Sequence, residues 1–259
     1  MPTDMTTERR GATLVLTLSD PATRNSLSPQ ACAAGIEALN RAETDDELRC
    51  VVLRGDGAHF CAGGNLQRIA NARQGAPEEQ AQAMSHFLGF VEALRGFPKP
   101  VVAAVEGYAA GGGCSLALAC DLIVAAEDAK FVMSWGKVGL SPDGGTSWHL
   151  ARQLPRAQAL RMLWLPEPMT ARQWQACGLV TTVTDTAQAL SEALKLAERL
   201  AQMAPNVLAS VKELVNQAPR FDLRRQLDSE REHFVRNLFD ANGGEGLRAF
   251  LEKRTPDFR

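Results

Sequence analysis

Short β-branched apolar runs recur along this chain, and between several of them lie stretches with the three-to-four-residue apolar spacing of amphipathic helices. ATLVLTLS (12–19), CVVLRG (50–55), PVVAAVEG (100–107), DLIVAAE (121–127) and the weaker LVTTVT (179–184) predict five strands. Ser28-Pro29 supplies a cap and a first-turn proline for a helix running to about Arg41. Thr170 caps another that ends before Gly178, and Pro205 opens PNVLASVKELVNQ. From about Thr186 onward the pattern is nearly all helical. The alternation predicts an α/β fold, and the change of pattern predicts a core over 1–185 and a helical region over 186–259. No Gly/Ser linker separates the two, so the helical region is expected to pack on the core or on a neighbouring subunit.

Composition narrows the function classes. A chain of 259 residues with 45% hydrophobic and 22% charged residues and a net charge of −2 is ordinary globular protein. It has no basic excess to hold a phosphate backbone, which argues against a nucleic-acid partner. The opening MPTDMTTERRGATLVLTLSD lacks the basic tip and long apolar stretch of a signal peptide. No apolar run reaches the roughly 20 residues of a membrane span, so a soluble cytoplasmic protein without membrane association is expected. None of the six cysteines forms a CxxC pair, and His59-Phe60-Cys61 is the one close His/Cys pair, so no metal site is expected.

The chemistry concentrates in GYAAGGGCSLALACD (107–121). A P-loop needs Gly-Lys-Ser/Thr after its glycines, whereas Gly113 is followed by Cys114-Ser115. A dinucleotide fingerprint starting at Gly111 would need a glycine where Leu116 stands. Gly113-Cys114-Ser115-Leu116-Ala117 misses a hydrolase nucleophile elbow by its last residue, with His149 or His233 following in the right order. A Ser115 serine hydrolase therefore remains as a reading from outside the class favoured below. The remaining use for bare backbone is anion binding by the unpaired N–H groups of a helix start. HFCAGGNLQRI (59–69) is a second corner of that kind. Two such corners could hold one carbonyl oxygen as it becomes an enolate or tetrahedral oxyanion.

HFCAGGNL followed by KPVVAAVEGYAAGGGCSLALACDLIVAAEDAKF resembles the crotonase superfamily, the enoyl-CoA hydratase/isomerase family. LVLTLSDPATRNSLS and EGLRAFLEKRTPDF extend the resemblance to nearly the whole chain. The resemblance implies a ClpP/crotonase-like spiral of repeated ββα units with a helical C-terminal trimerisation region, assembled as a homotrimer or dimer of trimers. It implies an acyl-CoA substrate, with no cofactor beyond that coenzyme A thioester, and an oxyanion hole built from the amides of Gly64 and Gly112. A coenzyme A cleft would involve Arg24, Ala62, Gly63, Asn65, Leu66 and Gly111, with Phe250 and Lys253 contributed by the same chain or a neighbour.

At the two positions where family hydratases carry glutamates, this chain holds Ser115 and Trp135. Adding water needs one group to orient it and another to manage the proton, so losing both argues against ordinary hydration. Asp143, before Gly144-Gly145, reads on its own as a helix N-cap. Its position also resembles the single catalytic aspartate of superfamily isomerases, including those acting on ring thioesters of phenylacetate breakdown. Superfamily aryl-CoA dehalogenases place Trp and Asp at these same two positions, which makes Trp135 either a substrate-ring contact or a core residue. The expected reaction is proton transfer by Asp143 on an enolate. A hydratase with another base, a ring or thioester hydrolase, and a non-catalytic acyl-CoA binder are the other readings. Residues 67–90 are expected to line the acyl pocket.

Overall fold

A computed structural model describes residues 3–259; the first two residues, where the N-terminal segment read above begins, lie outside the described residues. One sheet contains β1 (Asp4–Arg10), β2 (Thr13–Ser19), β3 (Cys50–Gly55), β4 (Val101–Val105), β6 (Leu122–Ala126) and β9 (Thr182–Thr184), in the order β1-β2-β3-β4-β6-β9. Only the β1–β2 pair is antiparallel. A small second sheet joins β5 (Tyr108–Ala110), β7 (Lys130–Val132) and β8 (Met169–Thr170). The helices are α1 (Pro29–Glu43), α2 (Leu66–Ala72), α3 (Pro77–Gly96), α4 (Gly112–Ala119), α5 (Thr146–Gln153), α6 (Arg156–Trp164), α7 (Ala171–Ala176), α8 (Ala189–Ala201), α9 (Pro205–Gln217), α10 (Leu223–Leu238) and α11 (Ala241–Glu252).

The central strands read as continuous apolar runs because both of their faces are covered. Leu14, Leu16, Leu18, Val51, Leu53, Val101, Ala103 and Val105 point into the core shared with α1, α3 and α4. The alternate residues Val15, Cys50, Val52, Val102, Ala104 and Val124 meet Ala189, Ala193 and Ala197 of α8. Small residues four apart on α8 let that helix lie close to the sheet. The first element of the C-terminal segment thus completes the second face of the sheet. Next, α9 is anchored by a largely buried ion pair, in which Lys212 Nζ lies 2.7 Å from Asp121 Oδ2. The same carboxylate oxygen accepts from the Val101 amide at 2.8 Å.

The starts of α1 and α7 follow their sequence signals. Ser28 accepts from the Ala31 amide to cap α1, and Thr170 and Gln173 form a capping box on α7. Three differences from the sequence reading have local causes. β1 exposes all but one of its residues, Met5 being the exception, so DMTTERR carries no alternation to find. Its hairpin turn uses Gly11 at φ 59° and Ala12, which moves the start of β2 to Thr13. At the other end, Leu179 and Val180 still donate to Trp174 O at the close of α7, and the predicted strand from 179 begins only at Thr182. Among the described residues, no helix is long and apolar enough to cross a membrane.

Candidate active site

The two glycine corners meet because three chain segments hydrogen-bond side by side. Asn25, fully buried at φ 57°, donates through Nδ2 to Asp56 O (2.9 Å) and His59 O (2.7 Å), fixing the loop after β3. The Ala62 amide donates to Arg24 O at 2.9 Å and the Leu27 amide to Gly63 O at 2.7 Å. On the far side, the Cys61 amide donates to Tyr108 O at 3.1 Å and the Ala110 amide to Cys61 O at 2.9 Å. The 61–64 corner is thereby clamped between the 24–27 loop and β5.

This clamp answers why so much bare backbone is needed. Gly63 sits at φ 80°, and a Cβ there would lie 2.5 Å from Ala110 O and 2.8 Å from Gly112 N. A Cβ on Gly113 would overlap the carbonyl oxygen of Cys61. Gly112 is the first residue of α4, where the helix leaves its N–H without an internal partner, and no side chain caps it. Among the described residues, neither the Gly64 nor the Gly112 amide has an acceptor.

Both glycines line one cavity of about 810 Å³, whose walls also include Leu27, Phe87, Trp135 and Asp143. Segments α2 and α3, with the turn between them, form its outer wall, so the stretch 67–90 expected to line an acyl pocket does line the cavity. A shallower cavity of about 300 Å³ beside α1 has neither glycine corner on its wall.

Asp143 faces this cavity as a carboxylate rather than capping a helix. α5 begins at Thr146 after Gly145 (φ 77°), without a side-chain cap, and it is the carbonyl of Asp143 that accepts from the Thr146 amide at 3.2 Å. One carboxylate oxygen, Oδ1, accepts from the Trp135 indole Nε1 at 3.2 Å. Burial raises the Asp143 pKa above its ordinary value; the Trp135 hydrogen bond and the residue's own amide oppose that rise. Trp135, 7% exposed in a 3-10 turn over Ser134–Val138, is both a core residue and a wall of the cavity. Its N–H holds the carboxylate, a role not read from the sequence.

Ser115 is not a nucleophile in this arrangement. It is fully buried, its hydroxyl lies 2.7 Å from Thr146 Oγ1 and donates to Asp143 O at 3.1 Å, and no histidine bonds to it. His149 is buried with Nδ1 unpartnered, and His233 belongs to α10, where its ring bonds Arg236. The serine-hydrolase reading lacks the nucleophile–base hydrogen bond it requires. Instead, Ser115 and Thr146 fix the backbone that carries Asp143.

The other sequence-predicted residues fall into two groups. Ala62, Gly63 and Gly111 build the frame of the corners, Asn65 caps α2 by accepting from the Arg68 amide at 3.0 Å, and Leu66 opens that helix exposed to solvent. Arg24 is exposed beside the same corner, its guanidinium 5.8 Å from the Tyr108 ring centroid. Phe250 and Lys253, at the end of α11, do not line the cavity; Phe250 is 82% exposed. Leu27 on the wall was not read from the sequence, and Arg68 and Phe87 were read only as part of the stretch 67–90. For Phe87 the signal was its place one turn before the buried Phe90, Val91 and Leu94 on α3.

An α/β spiral with two amide-bearing corners and a half-buried carboxylate around one acyl-sized cavity is the crotonase fold. The chain belongs to the enoyl-CoA hydratase/isomerase family, which it matches over residues 8–259. It is 37% identical to the 1,2-epoxyphenylacetyl-CoA isomerase of Escherichia coli K12, with 95% of this chain and 94% of that protein covered. It is 34% identical to the 2,3-dehydroadipyl-CoA hydratase of the same organism, covering 99% and 98% of the two chains. A crystal structure of an enoyl-CoA hydratase from Polaromonas sp. JS666 superposes with a TM-score of 0.98 at 55% identity, covering 99% of this chain and all of the other.

Proposed function

We propose that this protein is an acyl-CoA isomerase in which Asp143 carries a proton between carbons of a thioester-bound enolate. The carrying observation is that the two unpartnered amides of Gly64 and Gly112 share one cavity with a single nearby carboxylate whose pKa burial raises. The thioester oxygen would accept from both amides. Loss of a C2 proton then places negative charge on that oxygen, which the two donors would stabilise. Asp143 takes the proton and returns it at C4, which moves a double bond from C3–C4 to C2–C3. The proposed chemistry uses only these groups; coenzyme A enters as part of the substrate, along Arg24 and the Ala62–Leu66 corner.

The cavity's other carboxylate, Glu79, stands in the first turn of α3. The similarity to an isomerase of an aromatic acyl-CoA, together with Phe87 and Trp135 on the cavity wall, supports ring-bearing as well as straight-chain acyl groups. Hydration is the second reading, favoured by the hydratase names of the Polaromonas structure and the dehydroadipyl-CoA relative. Incubation with trans-3-hexenoyl-CoA separates them. The conjugated 2-enoyl thioester is the expected product, and a protein that leaves this probe unchanged while hydrating trans-2-hexenoyl-CoA would refute isomerisation.

The Trp135 hydrogen bond gives a pH prediction. A base with a raised pKa loses activity as pH falls through that value, so the acid limb of kcat/KM lies above the ordinary aspartate range. Trp135→Phe removes a bond that stabilises the charged form. The acid limb of the variant should move to higher pH by roughly 0.5 to 1 pH unit, measured as a kcat/KM profile.

We also propose a homotrimer or dimer of trimers. The helices after α8 leave Phe239 and Phe250 84% and 82% exposed, more apolar surface than an isolated chain usually shows. In that assembly Phe250 and Lys253 would close the cleft of a neighbouring copy. Light scattering should give three or six times the 28.0 kDa chain mass.

A further inference from the structure

We propose that Phe87 keeps water from the reacting carbons and thereby directs Asp143 to proton transfer rather than to assisted hydration; this rests on the isomerase reading above. Phe87 reaches from α3 across the cavity to both catalytic walls at once. Its Cζ lies 3.3 Å from where a Cβ on Gly112 would be and 2.5 Å from where one on Gly144 would be. It therefore touches the amide-bearing turn of α4 and the residue next to Asp143.

Position 115 is buried beside the ring. Ser115 Cβ lies 2.7 Å from that same point above Gly144, yet Ser115 is fully buried and is not on the cavity wall. Phe87 and Ser115 thus pack against the same glycine, with the ring on the cavity wall and Ser115 off it.

The polar side chains packed around Asp143 from α4, α5 and the 3-10 turn are already committed inside the protein. The Ser115 hydroxyl is shared between Thr146 Oγ1 and Asp143 O, and the Trp135 indole N–H is spent on Asp143 Oδ1. An ordered water needs two to four polar partners. Beside C3 it would find the Asp143 carboxylate and the hydrocarbon edge of a phenyl ring. Hydration, in which the water oxygen bonds C3 and a proton goes to C2, therefore lacks a held nucleophile. Proton return from Asp143 to carbon needs none.

The test is the product ratio of full-length Phe87→Ala and Phe87→Leu, with trans-3-hexenoyl-CoA and trans-2-hexenoyl-CoA as probes in ¹⁸O-water, read by mass spectrometry. For Phe87→Ala the ratio of hydrated to isomerised product should rise roughly tenfold over wild type, since a closed site is what suppresses side reactions with water. Phe87→Leu, which keeps the space filled, should stay within about threefold of wild type. A ratio, unlike a rate, does not move when a variant is merely less stable. Should Phe87→Ala not fold, Phe87→Val is read by the same ratio. An unchanged ratio in the folded small variant overturns the proposal, as does a wild type that hydrates one probe as fast as it isomerises the other. A wild type that isomerises neither probe instead brings down the isomerase reading itself.

Discussion

Replacing Asp143 with asparagine is expected to slow isomerisation of a 3-enoyl-CoA by roughly 10²- to 10⁴-fold, the usual contribution of a positioned acid–base group. The loss should fall on kcat, with KM changed by less than about threefold, because in the proposed mechanism the carboxylate acts in the transition state while the amides of Gly64 and Gly112 would bind the thioester in both. Asparagine keeps an oxygen to accept from the Trp135 indole, so the cavity wall should be undisturbed. Folding supplies a control of opposite sign. Burial raises the Asp143 pKa above 3.8, so as pH rises from 3.8 through that folded value the wild type loses stability relative to a variant with no charge to bury. At neutral pH the asparagine variant should melt no lower than wild type while being nearly inactive. A variant that unfolds would show instead that Asp143 is a structural residue.

Gly63→Ala is the second large effect, and it acts on the opposite wall. The residue must hold φ 80°, which costs an alanine about 1 to 2 kcal/mol. Beyond that, its Cβ would come within 2.5 Å of Ala110 O and 2.8 Å of Gly112 N. Both are main-chain atoms of the second corner, so the clash is relieved by pushing the two corners apart. Under the proposed mechanism the Gly112 amide would then no longer share the thioester oxygen with Gly64, a loss of one oxyanion donor that typically costs about 10²- to 10³-fold in kcat. Gly178→Ala separates strain from catalysis: Gly178 has φ 77° with nothing within 4 Å of its would-be Cβ. Both variants should lose stability. Only Gly63→Ala should lose that much activity in the folded protein, measured as kcat at saturating thioester.

The corners were legible because their requirement is written into the residues themselves. Gly63 and Gly113 stand where main-chain atoms approach too closely for a side chain, Gly111 holds φ 51°, and side chains crowd Gly64 and Gly112. The central strands were legible for a related reason: covered on both faces, they have to be apolar throughout. β1 escaped because an edge strand facing solvent has a polar sequence like that of a loop. Asp143 shows where local reading ends. Taken alone it is a good N-cap, and what makes it a cavity carboxylate is that α5 starts two residues later than expected, leaving its carbonyl, not its side chain, to meet the Thr146 amide. Only the resemblance pointed past the cap. Neither route could reveal the Trp135 indole on the Asp143 carboxylate or the Phe87 ring against Gly112 and Gly144, because those contacts join segments that come together only in the fold.

The most direct test of proton transfer by a single carboxylate is a heavy-water experiment. Wild type and Asp143→Asn are incubated with trans-3-hexenoyl-CoA in deuterium oxide, and the products are read by mass spectrometry and proton NMR. The expected wild-type product is 2-hexenoyl-CoA of unhydrated mass carrying deuterium at C4 in part of the molecules, with none formed by the variant on the same time scale. A product one water heavier, formed equally well by Asp143→Asn, would contradict the assignment of the chemistry to Asp143.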